Sequence, residues 1–396
     1  MTTDALALAL TALYAADRGI KAAAVARFFA HPEPPVPDAW PSVALVQPVT
    51  RGATDLGRNL AARAALDYPG SLRHVVVCDA SDVASQAVCR TALPESAEVV
   101  LTLPDGAGAE VASKVAKMAA GVAAAGAKGA DVLCFVDDDI RLPPNALRTL
   151  VAHLGQPGAG CAFGLACQSS WENLPSALLS AFVNANALVG YIPLTYLTEP
   201  YTVTGHCFAL RRATFEAGGG MEGLSGRFDD DHEIARRVRR LGLRCVQTPL
   251  VYAVANHLPT LAAFANQMRR WTAMPRVGMV PHLTGREKAA TTLLSAGNLL
   301  PALLLLLALA APSPATWACA AVALALFAAT YAGLEARYLP ERTPALRWWP
   351  TALPAVAFVL PVLLLLLLLL PGRAAVIGWR GQRLRLRPGG GFEVVP

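Results

Sequence analysis

The sequence predicts an α/β domain built on a mostly parallel sheet and followed by transmembrane helices. Three observations carry this. Between residues 41 and 258, short apolar runs alternate with segments of helical period. One of these runs, beginning near Val132, ends in Phe135-Val136-Asp137-Asp138-Asp139-Ile140. A strand that is buried along its length and then emits acids places them at its carboxyl end, where open α/β sheets hold ligands. Beyond residue 288 the chain changes to long apolar stretches, one with an unbroken run from Leu363 to Leu370.

Composition sets the frame. With 396 residues, 54% of them hydrophobic, and a mean hydropathy of +0.42, the chain holds one soluble domain of about 200–250 residues plus membrane segments. A net charge of +6 and a pI of 9.0 suit a protein lying against anionic lipid, and the arginines crowd near the apolar segments. No recognition motif accompanies that charge, so nucleic acid is not expected as a partner. The eight cysteines lack C-x-x-C spacing, and several sit in apolar runs; reduced core thiols facing the cytosol are expected.

In chain order, Ala5 to Ala16 is apolar but is interrupted by Asp17, Arg18 and Lys21, too short a stretch to cross roughly 30 Å of hydrocarbon. No basic region precedes it and no cleavage motif follows, so a signal peptide is not expected. Residues 1–30 are read as an interfacial helix, or as the remnant of a span. The segment 31–40, with His31-Pro32-Glu33-Pro34-Pro35-Val36-Pro37, is a linker. Val43-Ala44-Leu45-Val46 predicts a strand, Leu56 to Leu66 an amphipathic helix, and His74 to Cys78 a strand ending in Asp79 and Asp82. Strand, helix and strand at this spacing form a right-handed parallel unit. A third strand is expected near Glu98 to Leu103, and a helix from about Glu110 to Ala125 carries Lys114 and Lys117.

One sheet edge thus gathers Asp79, Asp82, Asp137 and Asp139, with the two lysines near enough to meet phosphate. Asp137 and Asp139 form a D-x-D pair, which repels itself unless a cation such as Mg²⁺ or Mn²⁺ lies between; a solvated acidic turn before Pro143-Pro144 is the plainer alternative. Further on come Thr202-Val203-Thr204-Gly205-His206, an apolar strand leading to Arg211-Arg212, and Gly218-Gly219-Gly220. Phe228-Asp229-Asp230-Asp231-His232-Glu233-Ile234 then opens a helix with Arg236, Arg237, Arg239 and Arg240. Acids in the first turn and cations in the last suit the helix dipole, so capping accounts for part of this acidic group and a general base in the cleft for the rest. Leu261 to Met274 reads as an amphipathic helix containing Gln267, Arg270 and Trp271, fitted either to diphosphate and sugar or to a membrane surface.

Taken together these residues resemble a known family. Pro41-x-Val43-x-Leu45-x-x-Pro48-x-x-x-Gly52, Asp67-Tyr68-Pro69, Asp79/Asp82, Asp137-x-Asp139, Thr204-Gly205, Asp230-Asp231 and Gln267-x-x-Arg270-Trp271 follow the order and spacing of ceramide glucosyltransferase-like enzymes. These are membrane-bound, inverting, family 2/21-type glycosyltransferases with the GT-A nucleotide-diphospho-sugar fold. The resemblance resumes at Trp379-Arg380-Gly381-x-Arg383-x-Arg385-x-Arg387-x-Gly389-Gly390, similar to the family's W-R-G-x-x-Y-R ending. It implies that Asp82 or Asp79 contacts uridine, that Asp137 and Asp139 hold ribose, diphosphate and metal, and that Asp231, with Asp230 beside it, is the catalytic base. It also implies that Gln267, Arg270 and Trp271 close over diphosphate and acceptor, and that Lys114 matches a lysine of the K-V-x-N stretch. Asp230 stands in place of the usual Glu, Lys117 in place of Asn, and Gln168 to Pro200 matches the family poorly.

The organisation expected is therefore a catalytic domain over 41–258, an interface helix over 259–288, membrane segments over 289–371 and a basic tail over 372–396. Three apolar runs, about Ala289 to Ala311, Ala315 to Gly333 and Thr351 to Leu370, approach spanning length. Arg337, Arg342 and Arg347 favour the cytosol, and three full crossings would strand Arg373, Arg380, Arg383, Arg385 and Arg387 opposite the catalytic domain. One run, the first or the last, is therefore expected to be re-entrant or interfacial, with the catalytic domain facing the cytoplasm. The implied activity moves glucose from UDP-glucose to a membrane lipid hydroxyl, ceramide first. The alternatives are a UDP-N-acetylglucosamine-dependent hopanoid or other lipid transferase, a processive polysaccharide synthase, and a membrane-anchored binding protein without catalysis.

Overall fold

The computed structural model describes residues 2–53, 55–93, 98–102, 113–126, 129–339, 346–369, 376–379 and 382–395. The expected positions Leu103, Glu110, Arg342, Arg373, Arg380 and Gly381 lie outside these. Within them an eight-stranded sheet runs in the order β3-β2-β1-β4-β7-β6-β8-β5. Its strands are β1 (Val43–Pro48), β2 (Leu72–Asp79), β3 (Glu98–Thr102), β4 (Val132–Val136), β5 (Ile140–Arg141), β6 (Ala159–Gln168), β7 (Cys207–Arg211) and β8 (Arg244–Val254). β1 pairs in parallel with both β2 and β4, whereas β7 runs antiparallel to β4 and β6. The chain builds outward from β1 through β2 to β3 and then returns to the other side of β1 with β4, so a crevice opens between the carboxyl ends of β1 and β4. Every residue of β1 and β4 is buried, which is why both strands read as continuous apolar runs.

Helices cover both faces. On one side lies α4 (Ser113–Gly126), so close that a Cβ on Gly121 would fall 2.5 Å from Val46 Cγ1; on the other lies α5 (Ala146–Leu154), whose Leu147 and Leu150 are fully buried. α2 (Leu56–Ala64) and α3 (Val83–Ala92) flank the β1–β2 edge, and α9 (Asp230–Arg240) lies in the same core as α4. The chain between residues 202 and 206 turns, Thr204 O accepting from Cys207 N, before it enters the sheet. All eight cysteines are buried and unpaired, as expected.

The apolar half is larger than the sequence reading allowed. Among the described residues, four stretches are long and apolar enough to cross a membrane: Leu174–Leu194, Gly285–Ala310, Pro314–Tyr338 and Trp349–Leu367. The first, comprising α6 (Leu174–Asn186) and α7 (Ile192–Leu194), was not among the three expected runs; Ser180 and Asn184 break its apolar pattern but are buried, donating to Ser170 O and Gln168 O. After α8 (Arg212–Ala217) and α9, α10 (Leu261–Met274) packs Phe264, Met268 and Trp271 into the apolar bundle. The bundle continues with α11 (Gly285–Ala296), α12 (Leu300–Ala310), α13 (Pro314–Tyr338), α14 (Trp349–Pro354) and α15 (Leu360–Leu369).

The N-terminal segment is helical, and its three charged residues are accommodated within the bundle. α1 (Thr3–Phe29) is a 27-residue helix, about 40 Å long at 1.5 Å per residue. It runs beside α13 from end to end: Ser313 Oγ donates to Asp4 Oδ1 at 2.7 Å, and Phe29 stacks on Tyr338 with centroids 4.4 Å apart. Asp17, Arg18 and Lys21, which appeared to end the apolar stretch, face inward. Arg18 bonds Asp17 and Asn298 Oδ1, Lys21 Nζ lies 3.0 Å from Asp17 Oδ1 and donates to Leu294 O, and a Cβ on Gly297 would lie 2.5 Å from Asp17 Oδ1. Pro301 lacks the N–H that would continue the helix, and a 3₁₀ turn at Gly297–Leu299 interrupts it there; α1 docks at that break.

The last apolar stretch is one continuous helical run that packs on α6 and α10. Trp349 packs near Trp171 and Tyr331, with centroids 6.3 and 5.9 Å away, and Leu367 O accepts from Arg276 Nη1. The expected basic tail is instead a three-stranded sheet, β9 (Val376–Trp379), β10 (Gln382–Leu386) and β11 (Phe392–Val395). Its period of two turns Leu384 and Leu386 inward, to a core shared with Phe228 and Ala273, while Arg383, Arg385 and Arg387 stay exposed.

Candidate active site

The crevice between β1 and β4 is closed at its base by the middle acid of the triplet. Asp138 accepts a short hydrogen bond from Thr50 N, and its main-chain oxygen accepts from Asn59 Nδ2 at 2.9 Å. Asp138 therefore ties the loop after β1 to that after β4 and leaves Asp137 and Asp139 on the other side. Asp137 Oδ1 meets Lys114 Nζ at 2.9 Å, and the same ammonium lies 3.8 Å from Asp230 Oδ2 and donates to Gly205 O. Burial pushes the Lys114 ammonium down, but Asp137, Asp230 and Asp231 outweigh it and raise it, so Lys114 is a fixed cation bridging the two acidic groups.

Asp139 is the acid with least support. Its Oδ1 is buried without a hydrogen-bond partner, and burial, reinforced by the Asp137 and Asp138 charges, pushes its carboxyl up to about 8. An unpartnered carboxylate oxygen next to a second acid is the arrangement that a cation with oxygen ligands relieves, so these residues fit Mg²⁺ or Mn²⁺. Among the described residues no group of three or more His, Cys, Asp or Glu side chains surrounds one point. Behind the pair lies Arg63, fully buried, whose Nη2 donates to Asp137 O at 3.0 Å. The sequence reading missed Asn59 and Arg63; only their place on the inward side of an amphipathic helix pointed to them.

Asp79 and Lys117 sit beneath the floor instead of in the crevice. Asp79 is 1% exposed with its carboxylate 3.8 Å from Lys117 Nζ, and Lys117 donates to Val49 O at 2.8 Å. Lys117 thus serves the β1–α4 packing and is not placed to meet phosphate. Asp82 caps α3 through Ser85 N and accepts from Gly52 N. Burial works to raise its carboxyl, but those hydrogen bonds prevail and hold it below the ordinary carboxylate range.

Across the crevice, the three aspartates before α9 divide. Asp230 faces Lys114. Asp231 accepts from His232 N at 2.7 Å and lies against the main chain of Gly205; burial first, then the Asp230 charge, raise its carboxyl to about 7. Asp229 makes no capping hydrogen bond with its side chain. From α10, Arg270 is close enough to His206 to help burial depress that imidazole, whose Nδ1 is buried without a partner. Gln267 is buried with Nε2 unpartnered, and Trp271 packs into the apolar bundle. Lys114, Asp137, Asp139, Asp230 and Asp231 are thus brought together with Arg270 nearby, while Asp79 lies below them, Asp82 caps α3 and Trp271 packs against the apolar bundle.

A mostly parallel sheet with a switch-point crevice, joined to helices apolar enough to cross a membrane, is an architecture of the GT-A kind. The overall fold matches a mannosyltransferase from Pyrobaculum calidifontis in complex with GDP-Man and Mn²⁺, at 19% identity and a TM-score of 0.51, over 93% of this chain and 99% of that one. A mycobacterial protein matches over 59% of this chain and 73% of its own at 18% identity and a TM-score of 0.39. No curated protein matches. Residues 5–392 match glycosyl transferase family 21, and the chain belongs to that family.

Proposed function

We propose that this glycosyltransferase moves a sugar, glucose first, from a UDP-sugar to the hydroxyl of a membrane lipid, ceramide first, by one inverting displacement. The observation that carries the reaction is Asp231, a half-buried carboxylate set against Gly205 at the start of α9, beside Asp230 and facing the D-x-D pair across Lys114, with its carboxyl raised to about 7. The donor and acceptor rest on the sequence resemblance and the family. Asp231 takes the proton of the attacking lipid hydroxyl, a role worth about 10²–10⁴-fold. Asp137 and Asp139 would hold Mg²⁺ or Mn²⁺, which when bound offsets charge on a diphosphate. Lys114 and Arg270 add fixed cations on the same side, where the leaving diphosphate gains charge.

The lipid acceptor is supported by the apolar bundle that shares α10 with the crevice. We place the catalytic domain on the cytoplasmic side. α1 packs along α13 and both pack on α12; Arg27, Arg286, Lys288 and Arg337 lie at the ends of these helices opposite the 311–313 turn, which carries no cation. We read Trp349–Leu367 as lying in the interface and not crossing, which keeps the C-terminal sheet with the catalytic domain. The test is incubation of the purified protein with UDP-sugars, GDP-Man, Mg²⁺ or Mn²⁺, and ceramide, diacylglycerol and hopanoid acceptors, with mass spectrometry of the lipids. A hexosylceramide that disappears in Asp231→Asn supports the proposal; a product on another lipid replaces the acceptor, and no product on any lipid overturns the reading.

A further inference from the structure

The C-terminal sheet meets the catalytic domain at a point that bears on Asp231. Two residues before it, the buried carboxylate of Asp229 is met from three segments. Arg227 Nη2 lies 2.8 Å from Oδ1 and 3.0 Å from Oδ2. A Cβ on Gly278 would lie 2.6 Å from Oδ2, and one on Gly390 would overlap both carboxylate oxygens and the Arg227 guanidinium. Gly390 also adopts φ +94°, a conformation that only glycine takes readily. Main-chain bonds fasten the same contact: Phe228 N donates to Gly390 O at 3.0 Å, Gly389 N donates to Val277 O at 3.3 Å, and Arg227 bridges Gly391. Asp229 O accepts from Glu233 N at 2.9 Å, so a shift of residue 229 moves the first turn of α9.

We infer that the Gly389-Gly390 turn of the C-terminal sheet is a positioning element of the active site, holding Asp229 and thereby setting Asp231 against Gly205 and Lys114. The inference rests on the reading of Asp231 as the base. Gly278 brings the segment after α10 to the same carboxylate, so the helix bearing Arg270 and the helix bearing the base are fixed to one point. An added methyl at position 390 forces the Asp229 turn to move by about 1 Å or the sheet to lift away, and misplacement of a reacting group on that scale costs about 10²-fold in rate.

The test is Gly390→Ala in the full chain in lipid nanodiscs, with Gly129→Ala as the control; Gly129 has φ +74° and nothing within 4 Å, so it carries the backbone strain without the contact. In Gly390→Ala, hydrogen exchange at the amides of residues 230–234 should rise at least about tenfold, Mn²⁺-dependent UDP binding should stay within about twofold, and turnover should fall about 10²-fold. The control should change none of these. Unchanged exchange at 230–234, or exchange that rises equally throughout the chain, overturns the inference. So does normal turnover in Gly390→Ala when Asp231→Asn is inactive. An active Asp231→Asn removes the base reading itself, and is told apart because the exchange change at 230–234 then remains without any catalytic counterpart.

Discussion

Gly205 and Asp231 touch: a side-chain carbon at position 205 would lie 2.5 Å from Asp231 Oδ2 and 3.0 Å from its Cβ. The turn after residue 202 therefore serves as the wall against which the carboxylate is set. Gly205→Ala is expected to push the carboxylate away and lower turnover about 10²-fold while leaving the affinity for UDP within about threefold. Steady-state kinetics beside a calorimetric UDP titration checks this; a loss confined to nucleotide affinity contradicts the placement.

As the proposed base, Asp231 acts only when ionised, and its carboxyl is raised from 3.8 to about 7. Turnover should rise about tenfold per pH unit below 7 and level off above it. The sign for stability is opposite. A raised carboxyl holds its proton in the folded chain at pH values where the unfolded chain has released it, so this group's contribution is present below about 4 and is lost as pH rises towards 7. Removing the neighbouring charge with Asp230→Asn should move the acidic limb of the rate profile to lower pH. An unmoved limb would mean that another group titrates.

Asp139 Oδ1 is buried and unpartnered, and its carboxyl is raised to about 8. Asp139→Asn replaces a carboxyl that burial and the Asp137 and Asp138 charges keep protonated with a neutral group of the same shape, so the folded chain should be as stable as the parent or more so without metal. It should nevertheless lose Mn²⁺ affinity at least about tenfold, a typical cost of losing one ligand contact. Thermal unfolding and Mn²⁺ paramagnetic resonance, each with and without UDP, measure the two effects. Unchanged Mn²⁺ affinity would remove Asp139 from the ligand pair.

Much of this site was legible because its residues lie at strand ends. The apolar run from Val132 and the acids behind it identify β4 and the crevice, and the acid-rich start of α9 identifies the facing group. What escaped were residues whose role depends on tertiary direction. Nothing in the local pattern shows that Asp138 turns back to Thr50 while Asp137 and Asp139 do not, or that Lys117 points under the sheet while Lys114, one turn earlier, points into the crevice. The arginines of the tail look like a solvated basic run because alternation with only Leu384 and Leu386 is a weak strand signal. Ser180 and Asn184 similarly break the hydropathy of α6, since a sequence does not show that their polar atoms are satisfied internally.

The topology is checked by single introduced cysteines, since the native ones are all buried. A membrane-impermeant maleimide added to oriented inside-out vesicles should label Arg286→Cys and Arg383→Cys and spare Pro312→Cys. Labelling of Pro312→Cys from the same side as Arg286→Cys would rule out the crossing hairpin.

The final prediction concerns α1. Asp17 is the only acid among the described residues paired with Arg18 and Lys21, whose side chains are 4% and 2% exposed, and the break at Gly297 supplies the remaining acceptors, Asn298 Oδ1 and Leu294 O. Two cations on one acid inside an apolar bundle is an expensive arrangement, and removing the acid alone leaves both without a countercharge. Asp17→Leu should therefore destabilise the protein by about 3–5 kcal/mol, whereas Asp17→Leu/Arg18→Leu/Lys21→Met together should be close to neutral, because an apolar contact of similar volume replaces the whole group. Unfolding in nanodiscs distinguishes these outcomes. If the triple variant is as unstable as the single one, the cluster contributes something that packing cannot replace, and the break at Gly297 depends on charge instead of on the shape of α1.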